Sequence, residues 1–193
     1  MNFLATRRAG FLACFFLLVL ASCGCGGGGG EDGDDSLVAV FTPACPIGDS
    51  CYEGSVTMQP GGTSGAVFEV QVVLNRLDTV IVAADMLIGF DPAVVQYQGY
   101  TKGPALGDGD GTTYLVTPAA GEVIVSIGVP AGVSVSSASV MITLAFKALK
   151  AGQTNLTFLD KDVSDGTALY CPPLKSIILL GDGGWSGGLA TAD

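Results

Sequence analysis

Histidine is absent from this chain of 193 residues. Its absence excludes histidine metal ligands and removes the base on which Ser-His-Asp and Cys-His catalysis depend. Basic residues are scarce too, with 8 Lys and Arg against 18 Asp and Glu, for a formal net charge of −10. Such a chain repels nucleic acid and anionic lipid headgroups, so neither is expected as a partner.

The chain also lacks an apolar run of the roughly 20 residues that span a bilayer. Its most apolar stretch, Phe11–Leu20, follows the basic pair Arg7 and Arg8 and leads through small residues to Cys23. That is the order of an export signal: a basic region, an apolar region and a cleavage site. An uncleaved membrane anchor is the alternative.

Leu20, Ala21, Ser22 and Cys23 resemble a bacterial lipobox, which implies cleavage after residue 22 and lipidation of Cys23. Residues 1–22 are then the signal peptide of a lipoprotein. Several acyl chains hold such a protein stably on a membrane, and here the lipid is the expected membrane contact. The residue after Cys23 is Gly rather than an acid, which by resemblance to lipoproteins of two-membrane bacteria implies the outer membrane or cell surface.

Residues 23–36 are rich in Gly and Asp, and residues 37–193 have the composition of one folded domain. The glycines predict a flexible tether that the acids keep hydrated. Loss of residues 1–22 removes two basic residues and no acid, which leaves a formal charge of −12. Beyond residue 36, Gly, Pro and Asp divide apolar, alternating runs into short pieces without helical periodicity. The pattern predicts an all-β, two-sheet sandwich of jelly-roll topology with about nine strands.

Four cysteines besides Cys14 and Cys23 are candidates for disulfide bonds in an exported chain: Cys25, Cys45, Cys51 and Cys171. Four cysteines allow three pairings. The short loop from Cys45 to Cys51 favours a bond between those two. Cys25 and Cys171 then pair or stay free, and Cys171 capturing Cys45 or Cys51 is a further alternative. A zinc site is disfavoured because no Cys-x-x-Cys spacing occurs.

Three sequence motifs occur in an order that resembles the cohesin domain. The first is an alternating strand, Val67–Leu74, then an apolar strand and the corner Phe90-Asp91-Pro92-Ala93-Val94-Val95. The second is the middle strand 121–127. The third is an apolar strand, 140–148, that ends in Phe-Lys-Ala and precedes a Gly-Gln-Thr turn. The resemblance covers about residues 55–180.

The cohesin resemblance implies a non-catalytic module on the cell envelope that binds a dockerin-like protein through one flat sheet face. If that sheet is shared, Asp85 and Leu87 lie on it, because they alternate with Met86 and Ile88. Carbohydrate-binding modules share the architecture, so binding of a polysaccharide is the alternative function. The candidates for stacking on sugar rings are Tyr100 and Trp185, and the glycine-rich flanks of Trp185 make its burial less expected.

Chemistry beyond binding finds little support in the sequence. Two acidic loops, 107–112 and 160–165, lack the spacing of a calcium-binding loop, so hydrated turns are the expected structure and no metal is assigned. Asp91 precedes a proline at a strand end, where its side chain is expected to cap the turn. No second carboxylate can be paired with it as a glycosidase dyad. We therefore expect no catalytic residues, no enzyme activity and no cofactor.

Overall fold

The computed structural model describes residues 37–49, 53–107, 111–172 and 176–193; the proposed signal peptide and tether lie outside these ranges. Two 3-10 turns and thirteen strands occur in the described part of the chain. The strands are β1 Ala39–Pro43, β2 Val56–Ser64, β3 Val67–Leu74, β4 Leu77–Gly89, β5 Val95–Lys102, β6 Thr113–Ala119, β7 Glu122–Val135, β8 Ser139–Ala148, β9 Gly152–Leu159, β10 Ala168–Cys171, β11 Ser176–Ile178, β12 Trp185–Ser186 and β13 Gly188–Ala192. No helix in the described residues is long and apolar enough to cross a membrane.

Two sheets pack face to face, which confirms the predicted all-β sandwich. One sheet has eight strands, with β4 at its centre: β7 and then β6 lie on one side, and β9, β13 and β1 extend the other side. The short strands β10 and β11 join that second side further along β4. The other sheet has five strands in the order β12, β2, β3, β8, β5.

Alternating side chains build the core between the sheets. On β3, Phe68, Val70, Val72 and Leu74 are fully buried, as the alternation in the sequence predicts. Phe68 stacks on Phe146 of β8, with ring centroids 5.7 Å apart. Each buried aromatic ring removes a large apolar area from water, so these side chains contribute much of the stability of the sandwich.

The corner after β4 has the structure expected from its sequence. The carboxylate of Asp91 accepts a hydrogen bond from the backbone N–H of Ala93 at 2.8 Å. Its carbonyl oxygen accepts bonds from the N–H groups of Val94 and Val95, each at 3.1 Å. The expectation that Asp91 caps a turn is therefore confirmed. Phe90, just before it, packs its ring edge-on against Phe146.

The expected number of about nine strands is too low because Ala168–Cys171 and the glycine-rich tail form additional strands, while two glycine-containing stretches lengthen strands instead of ending them. The sequence of residues 60–65 is typical of a turn, yet β2 continues to Ser64 with a bulge between Pro60 and Thr63. A Cβ atom at Gly61 would lie 2.7 Å from that of Glu69, so only glycine lets the strands approach here. The connection 130–139 is partly strand β7. The glycine-rich tail forms β12 and β13, because β1 and β9 bind both edges of β13.

The cysteine predictions have mixed outcomes. Cys45 is buried and disulfide-bonded, and Gln59 donates its side-chain N–H to the Cys45 carbonyl at 2.8 Å. Cys25 and Cys51 lie outside the described residues, so the pairing of Cys45 with Cys51 stays a prediction. Cys171 is a free thiol 3.4 Å from the carbonyl oxygen of Ser176. Of the alternatives left open by the sequence, the structure therefore has Cys171 unpaired.

Candidate functional site

The outer face of the eight-stranded sheet, where β6, β7 and β4 lie side by side, is the candidate binding site. We call it the β6-β7-β4 face. Alternate residues of β7 from Val123 to Val129 are buried in the core, so the residues between them point outward. The same alternation on β4 buries Met86 and Ile88 and leaves Asp85 and Leu87 half-buried on the outer side. The outward placement predicted for Asp85 and Leu87 agrees with this pattern.

Strand register arranges the outward side chains in rows across the face. One row is apolar in its centre and runs from Thr117 through Ile124 and Leu87 to Leu159. The next row places Leu115 beside Ser126 and Asp85. With 65% of its surface exposed, Leu115 is one of the most exposed large hydrophobic residues described. The two rows form a continuous surface with an apolar centre and one carboxylate.

Two glycines leave space for neighbouring side chains on the β6-β7-β4 face. Gly128 lies between Thr113 and Ala83 in the third row, and a Cβ atom there would approach the Thr113 hydroxyl to 2.8 Å. Gly89 lies beside Leu159, whose methyl groups would be 3.0 Å from an added Cβ. The strands β4, β6 and β7 carry only three charged residues, Asp78, Asp85 and Glu122, and a face with so few charges is suited to contact with another protein surface.

Tyr170 of β10 lies near Asp85 at the edge of this face. Its hydroxyl donates a hydrogen bond to the carbonyl oxygen of Ser164 at 3.1 Å. Burial raises the pKa of the Tyr170 phenol above its ordinary value of 10.0, and the negative charges of Asp85 and Asp165 raise it further. At neutral pH the hydroxyl is therefore protonated and able to donate to the Ser164 carbonyl oxygen.

The side chain of Thr167 bonds to the backbone of Leu87 at the edge of β4. Strand β10 pairs with β4 as far as Asp85 and β9 pairs with it from Leu87 onward, so Leu87 lies at the junction between the two. The fully buried Thr167 hydroxyl bonds to the backbone at this junction: it accepts the Leu87 N–H at 2.9 Å and is 3.4 Å from the Leu87 carbonyl oxygen. Both backbone polar groups of Leu87 are thus bonded to the Thr167 hydroxyl, and Leu87 lies in register with Ile124 of β7, so the apolar row is preorganised.

Strong alkali is expected to destabilise the domain through its buried tyrosines. The pKa values of Tyr170 and Tyr97 are raised in the folded state, chiefly by burial. The tyrosinate is therefore disfavoured in the fold, and this stability is complete below about pH 10 and lost as the pH rises through the folded pKa. In urea titrations at a series of pH values, Tyr170→Phe should show a shallower loss above about pH 10. If the free energy of unfolding fell equally with pH in both proteins, Tyr170 would not be a source of the alkaline destabilisation.

Tyr100, predicted to bind sugar, lies at the side of the sandwich instead of on a flat face. Its position on β5 is opposite the buried Leu144, and 41% of its surface is exposed. Its ring stacks on Tyr114 of β6 with centroids 6.5 Å apart, and the Lys102 ammonium lies 5.0 Å from the centre of the Tyr114 ring. These three side chains bridge the two sheets, and part of the Tyr100 ring remains accessible.

Trp185 is placed in the core, where no ligand can stack on it. Only 2% of its surface is exposed, and its ring packs edge-on against Phe158 at 5.2 Å. Its indole N–H donates to the Asp162 carboxylate at 2.9 Å, and the same carboxylate accepts the backbone N–H groups of Leu180 and Gly181. The sugar-stacking hypothesis for Trp185 therefore has no support in this placement.

The acidic loops give no metal site in the described residues. No group of three or more Cys, Asp or Glu side chains there is arranged to hold an ion. In the second loop, Asp162 points its carboxylate at Trp185 and backbone N–H groups, which makes it structural. Residues 108–110 of the first loop lie outside the described part of the chain, so its hydrated-turn assignment stays a prediction.

Ile124 and Leu115 belong to the face but were not singled out from the sequence. The signal that points to them is the hairpin of β6 and β7, whose turn sets residue 119 opposite 122. From that register Thr117 must lie beside Ile124, and Leu115 beside Ser126. The pairing of β7 with β4 on its other side could not be derived in this way. The two strands are far apart in sequence, and two bulges shift the register between them.

A two-layer β-sandwich whose outer face carries few charges and no catalytic cluster among the described residues is typical of a binding module. Comparison with protein families matches residues 55–170 to the cohesin domain. Because the match spans more than half of the chain, the protein belongs to the cohesin family. Cohesin domains are non-catalytic binding modules, in agreement with the expectation that the chain is not an enzyme.

Solved structures similar to the chain are cohesin modules. A type II cohesin in a cohesin–X-dockerin complex from Acetivibrio cellulolyticus has a TM-score of 0.54 at 19% identity, over 66% of this chain and 92% of that one. The second type II cohesin module of the ScaA scaffoldin from the same organism has a TM-score of 0.53 at 18% identity, over 64% and 88%. These identities show a shared fold. No curated protein sequence matches the chain.

Proposed function

We propose that this cohesin-family domain binds a dockerin-like protein through the β6-β7-β4 face and displays it on the cell envelope. The observation that carries the proposal is the continuous apolar row formed by Ile124 and Leu87, with the exposed Leu115 beside it. Fully desolvated apolar centres with a polar rim supply most of the affinity of protein interfaces. Relatives of this fold have been solved in complex with dockerins, which supports a protein as the partner.

The chemistry of the face constrains the partner. No Lys or Arg occurs on the strands that form it, while Asp85 places a carboxylate in the row beside Leu115 and Ser126. A partner therefore fits best if it carries an apolar centre and sets a basic or hydrogen-bond-donating side chain against Asp85. Such a charged contact adds specificity and speeds association more than it adds affinity.

The experiment that tests this proposal is a calorimetric titration of the chain from residue 23, with Cys23→Ser to omit the lipid, against dockerin modules from the same genome. Saturable binding of at least one dockerin supports the proposal. If no dockerin binds while insoluble polysaccharide retains the domain, the alternative of a carbohydrate-binding module takes its place. No contact in the described residues favours that alternative at present.

Display on the envelope rests on the lipobox-like residues before Cys23. We expect Cys23→Ser to block lipidation, because the thiol is the acceptor of the diacylglycerol group. In cell fractionation the variant should accumulate as an unprocessed precursor or appear in the soluble fraction, while the parent protein stays with the membranes. The matched control is Cys25→Ser, which should fractionate as the parent does. Unchanged processing and retention of the Cys23 variant would refute the anchor.

A further inference from the structure

Strand β5 is an edge of the five-stranded sheet, on the layer opposite the proposed dockerin face. Among the described residues it pairs with β8 alone. At one end of this pair Leu149 donates its N–H to the Val94 carbonyl at 2.8 Å, and at the other Gly103 donates to Met141 at 3.0 Å. These bonds identify which residues of β5 turn their peptide groups toward β8 and which turn them away.

Peptide groups in an antiparallel pair face the partner strand and the outside in alternation. Since Val94 faces β8, the carbonyl of Val95 and both polar groups of Tyr97 face outward. The N–H of Val95 is already bonded to the Asp91 carbonyl at 3.1 Å. The first half of β5 thus offers one donor and two acceptors in the geometry that a further strand requires. In the second half, Tyr100 and Lys102 pack on Tyr114 and bridge to the other sheet.

A groove of about 590 Å³ runs along this first half of β5. Its floor includes Phe90, Val95 and Tyr97, and its opposite wall is the turn of the β6–β7 hairpin from residue 118 to residue 121. Leu149, with 47% of its surface exposed, forms part of the rim. A strand laid against β5 would direct alternate side chains into this apolar groove.

The charges near the β5 edge differ in sign from the chain as a whole. Neither β5 nor β8 contains an acidic residue. Lys147 lies opposite Gln96 across the β5–β8 pair, and Lys150 follows Leu149 on the rim; both are exposed, and neither forms an ion pair among the described residues. The nearby carboxylate of Asp91 is turned onto the N–H of Ala93. Each lysine therefore neighbours a residue that lines the groove, Lys147 beside Gln96 and Lys150 after Leu149, although neither lines the groove itself.

We infer that the β5 edge is a second binding site, which takes an extended acidic peptide segment of a partner protein by strand addition. The main-chain bonds would come from Val95 and Tyr97, an apolar anchor of the peptide would enter the groove, and its acidic side chains would meet Lys147 and Lys150. This site is separate from the β6-β7-β4 face, so the domain can hold two partners or two parts of one partner at the same time.

A short blocked peptide of alternating Glu and Val with a central Leu is the probe, added to the ¹⁵N-labelled chain from residue 23 carrying Cys23→Ser. We expect the amide signals of Val95–Gln98 to shift and the Tyr97 amide to exchange more slowly with deuterium. The same peptide with N-methyl groups along one edge cannot add a strand and should not bind. Equal binding of both peptides, or no shift at these residues, would overturn the inference.

Charge variants separate a specific site from general attraction. The double variant Lys147→Glu with Lys150→Glu should weaken binding of the acidic peptide about tenfold or more at low salt. Arg76→Glu is the matched control, because Arg76 is exposed and pairs only weakly with Asp78 at 3.6 Å; it should change the affinity less than about twofold. Equal losses in the two proteins would contradict the site. Ile124→Arg should leave peptide binding intact, so this test stands apart from that of the dockerin face.

Discussion

Replacing Ile124 with Arg is expected to lower the affinity for the protein partner by about a hundredfold or more. Ile124 lies between Thr117 and Leu87, at the centre of the apolar row. A guanidinium group there would lose its hydration against the apolar centre of the partner, which costs several kcal/mol, and its longer side chain would hold the two surfaces apart even if it turned toward Asp85. The side chain points outward from β7, so the fold of the domain should tolerate the change. Calorimetric titration with the bound dockerin measures the effect.

Thr143→Arg is the matched control for this prediction. Thr143 is half-buried on the outer face of β8, between Gln71 and Thr101 of its neighbouring strands. The Thr143→Arg substitution introduces the same charge on the opposite side of the sandwich. The affinity for the dockerin should therefore stay within about twofold of the parent. Loss of binding in the Thr143 variant alone would place the interface on the five-stranded sheet and contradict the proposed face.

Replacing Trp185 with Ala is expected to destabilise the domain by about 3–5 kcal/mol. The indole ring is almost fully buried against Phe158, and its N–H satisfies the Asp162 carboxylate. Removing it leaves a large cavity and takes a hydrogen bond from a carboxylate that orders the chain near Leu180. Urea unfolding followed by circular dichroism measures the loss in the free energy of unfolding.

Asp162→Ala tests the polar half of the Trp185 anchor. The substitution leaves the indole N–H without its acceptor, and we expect a loss of about 1–3 kcal/mol in the same urea experiment. Tyr100→Ala provides the comparison, because its partly exposed ring should contribute less than Trp185. If Trp185→Ala left the unfolding midpoint unchanged while abolishing retention on polysaccharide, Trp185 would be a ligand contact and the placement in the core would be contradicted.

Much of the fold is predictable because local sequence rules and the tertiary structure agree. The alternation of Val67–Leu74 buries one side of β3, as a half-buried strand requires. The Asp91-Pro92 corner ends β4 because proline cannot donate to a ladder. Asp85 and Leu87 follow from the same alternation, since Met86 and Ile88 must face the core. In each case the information lies within a few neighbouring residues.

The features that sequence could not supply depend on contacts between distant segments. Trp185 is buried against Phe158, and its N–H is satisfied by Asp162, in a loop 23 residues earlier. The tail strand β13 exists because β1 and β9, from both ends of the domain, leave a space between them. The rows of the binding face depend on the β4–β7 register, which two bulges shift. A shift of one residue would move every outward side chain to the core, and local periodicity does not encode it.

Cross-saturation transfer from the dockerin to the methyl groups of the labelled domain is the most direct measurement of the binding face. The expected result is strong transfer to Leu115, Ile124 and Leu87, with none to Val67 on the opposite layer. Strong transfer to Val67 and the outward residues of β8, with Ile124 unaffected, would show that the partner binds the five-stranded sheet instead.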